Sequence, residues 1–150
     1  MDTIDQTLTP PAIGLRCPIS FAMSMLGDRW SLLIIRDMML FGKRRYSEFL
    51  ASGEGISTNI LADRLKQMQH LDLVEKFSDP ANRKASVYLL TDKGLRLFPV
   101  LLEVIRWGQQ HDEHSMITDA MAQALRNGGQ PLARQIQERV ESERQQLQST

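Results

Sequence analysis

A chain of 150 residues, 42% of them apolar and with a formal net charge of zero, holds enough material for one buried core and a short appendage. No apolar run nears the roughly 18 residues of a membrane span: Leu32 to Ile35 meets Arg36 and Asp37 at once, and the acidic, polar start Met1-Asp2-Thr3-Ile4-Asp5 is not expected to be a secretory signal. A single cysteine excludes an internal disulfide, and the expected location is a reducing cytoplasm, with no membrane partner.

Residues 1–15 lack periodicity, contain Pro10-Pro11 and Gly14, and read as a flexible arm. Pro18 suits the start of a helix, with Ile19, Phe21, Ala22, Met25 and Leu26 on one side and Gly27-Asp28 at its close. Asp28 can cap a second helix, Arg29 to Leu40, which turns Trp30, Leu33, Ile34, Met38 and Phe41 to a core and stops at Gly42. Lys43 to Tyr46 reads as a short extended piece, and Ser47 can cap a helix from Glu48 to Ser52. Gly53-Glu54-Gly55 is a tight turn whose glycines can take positive φ. Ser57 then caps a longer helix, Thr58 to Leu71, with a buried stripe of Leu61, Leu65, Met68 and Leu71. Short helix, turn and longer amphipathic helix form the helix-turn-helix pattern.

Leu73 to Phe77 and Ala85 to Leu90 have strand composition, and the polar stretch Ser78 to Lys84 between them predicts a hairpin with a basic tip. Thr91 caps a long helix from Asp92 to about His111, which Pro99 should bend. Met116 to Arg126 is helical in pattern and ends at Asn127-Gly128-Gly129. Pro131 opens a last helix whose stripe, Leu132, Ile136, Val140 and Leu147, is narrow enough to need a partner. The expected organisation is an arm over 1–15, a DNA-binding domain over 16–112 and a helical extension over 113–150. The fold class is mainly α with a small β-hairpin.

Charge is unevenly placed. Residues 29–96 carry 12 Lys/Arg against 8 Asp/Glu, an excess of four, while 1–28 and 97–150 each carry a deficit of two. A polyanion would dock on the basic middle. A recognition helix lies in the major groove with its apolar face on the protein. At about 100° per residue the outward face of 58–71 carries Asn59, Asp63, Lys66 and His70, with Thr58, Ala62 and Gln67 at its margins. Asn59 can pair with adenine, and Thr58 and Ala62 can touch a thymine methyl. Asp63 can accept from cytosine or repel phosphate, and Ser57 at the helix start suits a phosphate. In the hairpin, Asn82, Arg83 and Lys84 form a wing able to reach a minor groove or phosphates, and Lys43, Arg44 and Arg45 can lie over the backbone.

The stretch from Cys17 to Trp107 resembles the HxlR-type regulators, relatives of the MarR winged-helix group. The resemblance is carried by Cys17-Pro18, Leu26-Gly27-Asp28-Arg29-Trp30, Leu32-Leu33-Ile34-Ile35-Arg36-Asp37, Phe41-Gly42, Arg45-Tyr46-Ser47-Glu48, Gly55-Ile56-Ser57 and Leu61. It continues through Tyr88-Leu89-Leu90-Thr91-Asp92-Lys93-Gly94 and Leu97-Phe98-Pro99-Val100-Leu101. It implies a winged helix-turn-helix flanked by N- and C-terminal dimerisation helices, a homodimer on double-stranded DNA with a pseudo-palindromic operator. Departures are the tail past His114 and a wing reading Lys84-Ala85-Ser86-Val87-Tyr88, where the family is richer in proline and valine.

Cys17 sits beside Arg16 at a helix start, where dipole and cation both favour thiolate. It reads either as an inert capping residue or as a redox sensor, the use that some similar regulators make of an amino-terminal cysteine. His111 and His114 are spaced for a metal but lack a third ligand nearby, so surface histidines are the better reading and no metal is expected. With no phosphate loop, nucleophile elbow or cofactor motif, an enzyme is not expected, and no cofactor is implied. The function expected is a DNA-binding transcription regulator, responsive to a small-molecule effector or to redox chemistry. The alternative is a winged helix that only binds other proteins.

Overall fold

The computed structural model describes residues 17–150; the arm expected over 1–15 lies outside them. Helix α1 (Pro18–Leu26) begins with proline in its first turn, and α2 (Ser31–Leu40) follows. Asp28 performs the capping expected of it, its Oδ1 accepting from the amides of Trp30 at 2.8 Å and Ser31 at 2.9 Å. That clamp holds the chain as a turn through Trp30, so α2 starts two residues later than periodicity implies. Its buried face is also rotated: Ile34, Ile35, Met38 and Met39 are buried, whereas Phe41 is 41% exposed.

The short helix α3 (Tyr46–Leu50) starts two residues earlier than a Ser47 cap would place it. The Arg45 carbonyl accepts from Glu48 at 3.0 Å and Phe49 at 3.2 Å, which draws Tyr46 into the first turn. Gly53 and Gly55 take φ of +85° and +79°, values that the turn into α4 (Thr58–His70) demands. Ser57 caps α4, its hydroxyl accepting from the Ile60 amide at 3.2 Å. Leu61, Leu65 and Met68 are buried, while Leu71 falls just past the helix and is only partly buried.

Strands β1 (Val74–Asp79) and β2 (Asn82–Leu90) pair antiparallel, Val74 opposite Leu90 and Phe77 opposite Val87, with a register shift after Ser78. The turn is Pro80-Ala81 alone, so Arg83 and Lys84 stand on β2 rather than at a loop tip. The strands outrun their apolar residues because local groups close the end: Asp79 Oδ1 accepts from the Ala81 amide at 3.0 Å, and Asn82 Oδ1 from the Lys84 amide at 3.2 Å. Arg45 bridges Val87, and the Tyr88 amide donates to the Arg44 carbonyl at 2.8 Å. The extended piece before α3 thus lies against β2.

The long helix expected over 92–111 is two helices, α5 (Asp92–Leu95) and α6 (Phe98–His111). Thr91 caps the first, accepting from Gly94 at 3.0 Å. Pro99 does not bend a continuous helix: it has no amide to donate to Leu95, and it opens the second helix in its first turn. Helix α7 (Asp119–Leu125), capped by Thr118, leads through a 3-10 turn (Arg126–Gly129) into α8 (Gln130–Gln148). The partner α8 needs is its own chain. Ile136 and Val140 are buried, and the helix packs across both strands. The result is a mainly α fold with one two-stranded hairpin, a winged helix-turn-helix whose core joins α2, α4, the strands, α6 and α8.

Candidate nucleic-acid interface

The helix-turn-helix is held by buried charge. Asp37 on α2 is 2% exposed, and Arg36 binds it through Nε at 3.0 Å and Nη2 at 2.8 Å while reaching Glu54 in the turn at 2.8 Å. Burial works against the Arg36 charge, but Glu54 and Asp37 outweigh it and raise its pKa. The Tyr46 hydroxyl donates to the Thr58 carbonyl at 2.6 Å, tying α3 to the first turn of α4. Arg64 reaches from α4 to Asp28 at 3.5 Å. Burial would raise the Asp28 carboxyl, yet the Ser31 hydroxyl, the Trp30 and Ser31 amides and Arg64 together hold it below its ordinary range.

With one face of α4 fixed to the body, the other stands in solvent. Ser57, Thr58, Asn59, Ala62, Asp63, Lys66 and His70 are all exposed, as are Asn82, Arg83 and Lys84 on the wing. Lys66, Arg83 and Lys84 have no carboxylate within 4 Å among the described residues, whereas Asp63 is paired with Arg64 at 3.1 Å. Three unpaired cations and two asparagines are therefore presented on α4 and β2.

Lys43, Arg44 and Arg45 are placed differently. Each is partly buried and faces a carboxylate of its own chain: Lys43 with Asp37 at 3.5 Å, Arg44 with Glu143 at 3.9 Å, and Arg45 with Asp79 at 2.7 Å. Arg45 grips Asp79 through two nitrogens and also reaches Glu48 at 3.5 Å, and these carboxylates raise its pKa. In return Arg45, followed by the Ala81 amide, holds the Asp79 carboxyl below the usual carboxylate range. Arg45 thus anchors the base of the wing turn. That pairing joins residues 34 apart, and nothing in the local pattern signals it.

Further residues escape the sequence reading. From α8, Arg139 Nη2 donates to the carbonyls of Met38 at 2.8 Å and Met39 at 3.1 Å, satisfying the end of α2. Arg144 donates to the Leu90 carbonyl at 2.7 Å and to Glu75 at 3.1 Å, bracing the hairpin from behind. Their only signal is a place beside the α8 apolar stripe.

The HxlR-like helix-turn-helix family matches residues 25–116. The chain belongs to that family. Among similar proteins, the HTH-type transcriptional regulator YodB of Bacillus subtilis is 36% identical over 98 residues, covering 65% of this chain and 87% of YodB. The reduced form of YodB superposes with a TM-score of 0.53 at 33% identity, over 68% of this chain and all of that one. Its quinone-bound form does so with a TM-score of 0.52 at 35% identity, over 63% and 99%. The HxlR-like assignment makes this chain a helix-turn-helix transcriptional regulator, a class of proteins that are not enzymes. None of its helices is long and apolar enough to cross a membrane among the described residues.

Cys17 occupies the residue before α1 and is partly buried. The Ser20 amide, then that of Ile19, lower its thiol pKa from the ordinary value. His111 lies tilted against Trp107 with ring centroids 4.7 Å apart, and no group of three metal-ligating side chains gathers among the described residues.

Proposed function

We propose that this HxlR-like regulator acts in the cytoplasm as a homodimer on a pseudo-palindromic operator, reading DNA with α4 and the hairpin wing. The observation that carries this reading is the pairing of an anchored α4, Leu61, Leu65 and Met68 inward, with an exposed outer face bearing Asn59 and Lys66. Unpaired Arg83 and Lys84 supply the second point of attachment, to phosphates or a minor groove. Ser57, Thr58, Ala62 and Asp63 frame the reading face, and Asn82 shapes the wing. Lys43, Arg44 and Arg45 lie toward the backbone, where their internal ion pairs give them a second task in positioning the wing.

Dimerisation is supported by apolar surface without a partner. Along α6, Val100, Val104 and Trp107 recur at helical spacing and are 42%, 50% and 68% exposed. On α1, Ile19 and Phe21, assigned to an apolar side by periodicity, are 73% and 42% exposed. Two copies joined through α1 and α6 would cover both stripes and set two reading helices one helical turn or so apart.

The effector reading rests on Cys17. A thiol of lowered pKa at a helix start suits attack by an oxidant or electrophile, and the related YodB has been solved in reduced, diamide-treated and quinone-bound forms. Genomic fragments retained by the full chain, then challenged with peroxide or a quinone, test all three parts. Retained fragments should share an inverted repeat and be released by the electrophile from wild type but not from Cys17→Ser. Absence of salt-dependent DNA binding would instead favour a protein-interaction module.

A further inference from the structure

A cavity of about 480 Å3 lies where the α5–α6 junction meets the 3-10 turn and the first half of α8. Its size falls in the range of small-molecule sites, roughly 300–1,000 Å3. Phe98, Leu102 and Ile136 give it apolar walls, and Arg96, Gln130 and Gln137 supply its polar groups. Helix α8 and the 3-10 turn lie outside the family match, which ends at residue 116, so one whole side of this cavity comes from chain beyond it. It is also distinct from the α4 and wing surfaces.

The charges on its wall are unequal. Arg96 makes no ion pair and no side-chain hydrogen bond among the described residues. Asp92, the one carboxylate on the wall, already faces Arg144 at 3.9 Å. Gly129 closes the floor at φ +78°, and a Cβ there would run into Leu102 Cδ1, so the turn is packed tightly against the apolar wall. A half-open cleft with apolar walls and one exposed, unpaired guanidinium at its edge suits a molecule with an apolar body and a single carboxylate.

We propose that this cavity binds a small aromatic or aliphatic monocarboxylate, with the carboxylate on Arg96 and the body against Phe98, Leu102 and Ile136. The assignment does not depend on DNA binding, because its test uses the full chain without DNA. Titration calorimetry with sodium phenylacetate and with neutral phenylacetamide should show saturable binding of the acid below about 1 mM. The amide should bind at least about tenfold more weakly, and Arg96→Gln should cost the acid a similar factor. Ala133→Trp, which fills the cavity from α8, should abolish binding. Where that variant fails to fold, Gln137→Trp at the exposed rim should do the same. No saturable binding, equal affinity for acid and amide, or binding untouched by Arg96→Gln or by the blocking variant overturns the proposal.

Discussion

Helix α4 turns Asn59, Asp63, Lys66 and His70 outward, whereas α6, with an equally buried inner stripe of Phe98, Leu101 and Leu102, turns Val100, Val104 and Trp107 outward. Both helices are anchored by the same force, the burial of apolar side chains at roughly 25 cal/mol per Å2. Their outer faces meet opposite needs. A polar face is stable in water and is free to exchange hydration for base edges and phosphates. An apolar face as open as Trp107 gains only when another apolar surface covers it. In the proposed assembly α6 therefore holds two copies together while α4 addresses the duplex.

The largest effect should come from breaking α6. Trp107→Glu with Val104→Glu adds charge to the exposed stripe and leaves the buried one intact, so each chain should stay folded while the dimer separates in sedimentation. Loss of two-site attachment should then weaken operator binding by about 10²-fold or more. A variant that stays dimeric would move the interface elsewhere. Next comes Asn59→Ala, expected to cost about 1–3 kcal/mol on the operator and little on random duplex if Asn59 reads a base. Equal losses on both would assign Asn59 to a phosphate instead.

The wing should show a smaller, sequence-independent effect. Arg83→Ala with Lys84→Ala should weaken binding to every duplex and make the log–log salt slope shallower by about 1.8, or about 0.9 for each phosphate that the protein ceases to neutralise. The smallest effect concerns the wing's base. The Asp79 carboxyl is held below its unfolded value by Arg45, so its stabilisation is complete above the ordinary carboxylate range, near pH 4, and is lost as pH falls through the folded value. Amide exchange of residues 80–84 should therefore gain protection as pH rises through that window, once corrected for intrinsic rates, and Asp79→Asn should flatten the change.

Local patterns made much of the body legible. Asp28, Ser57 and Thr91 cap the helices that follow them, and the 4-3 spacing of Leu61, Leu65 and Met68 fixed which side of α4 would be free. Readings failed where a distant or polar group took over. Strands β1 and β2 run on through Ser78, Asp79 and Asn82 to Lys84, which are polar and look like loop, because Asp79 and Asn82 satisfy the turn themselves. Pro99 has the same chemistry whether it bends a helix or starts one, and only the break at Arg96-Leu97 decides. The cationic run Lys43 to Arg45 looks open to phosphate in sequence, yet Asp37, Glu143 and Asp79 come to it from across the fold. The grip of Arg139 and Arg144 on α2 and β2 spans 101 and 54 residues, beyond the reach of any periodicity.

Hydrogen-exchange mass spectrometry of the full chain, with and without an operator duplex, tests the contrast between the two helices most directly. Protection gained by residues 57–70 and 79–84, together with an α6 already protected before DNA is added, is the predicted pattern. An α4 whose exchange is unchanged by saturating duplex, while DNA binding is plainly observed, would contradict it.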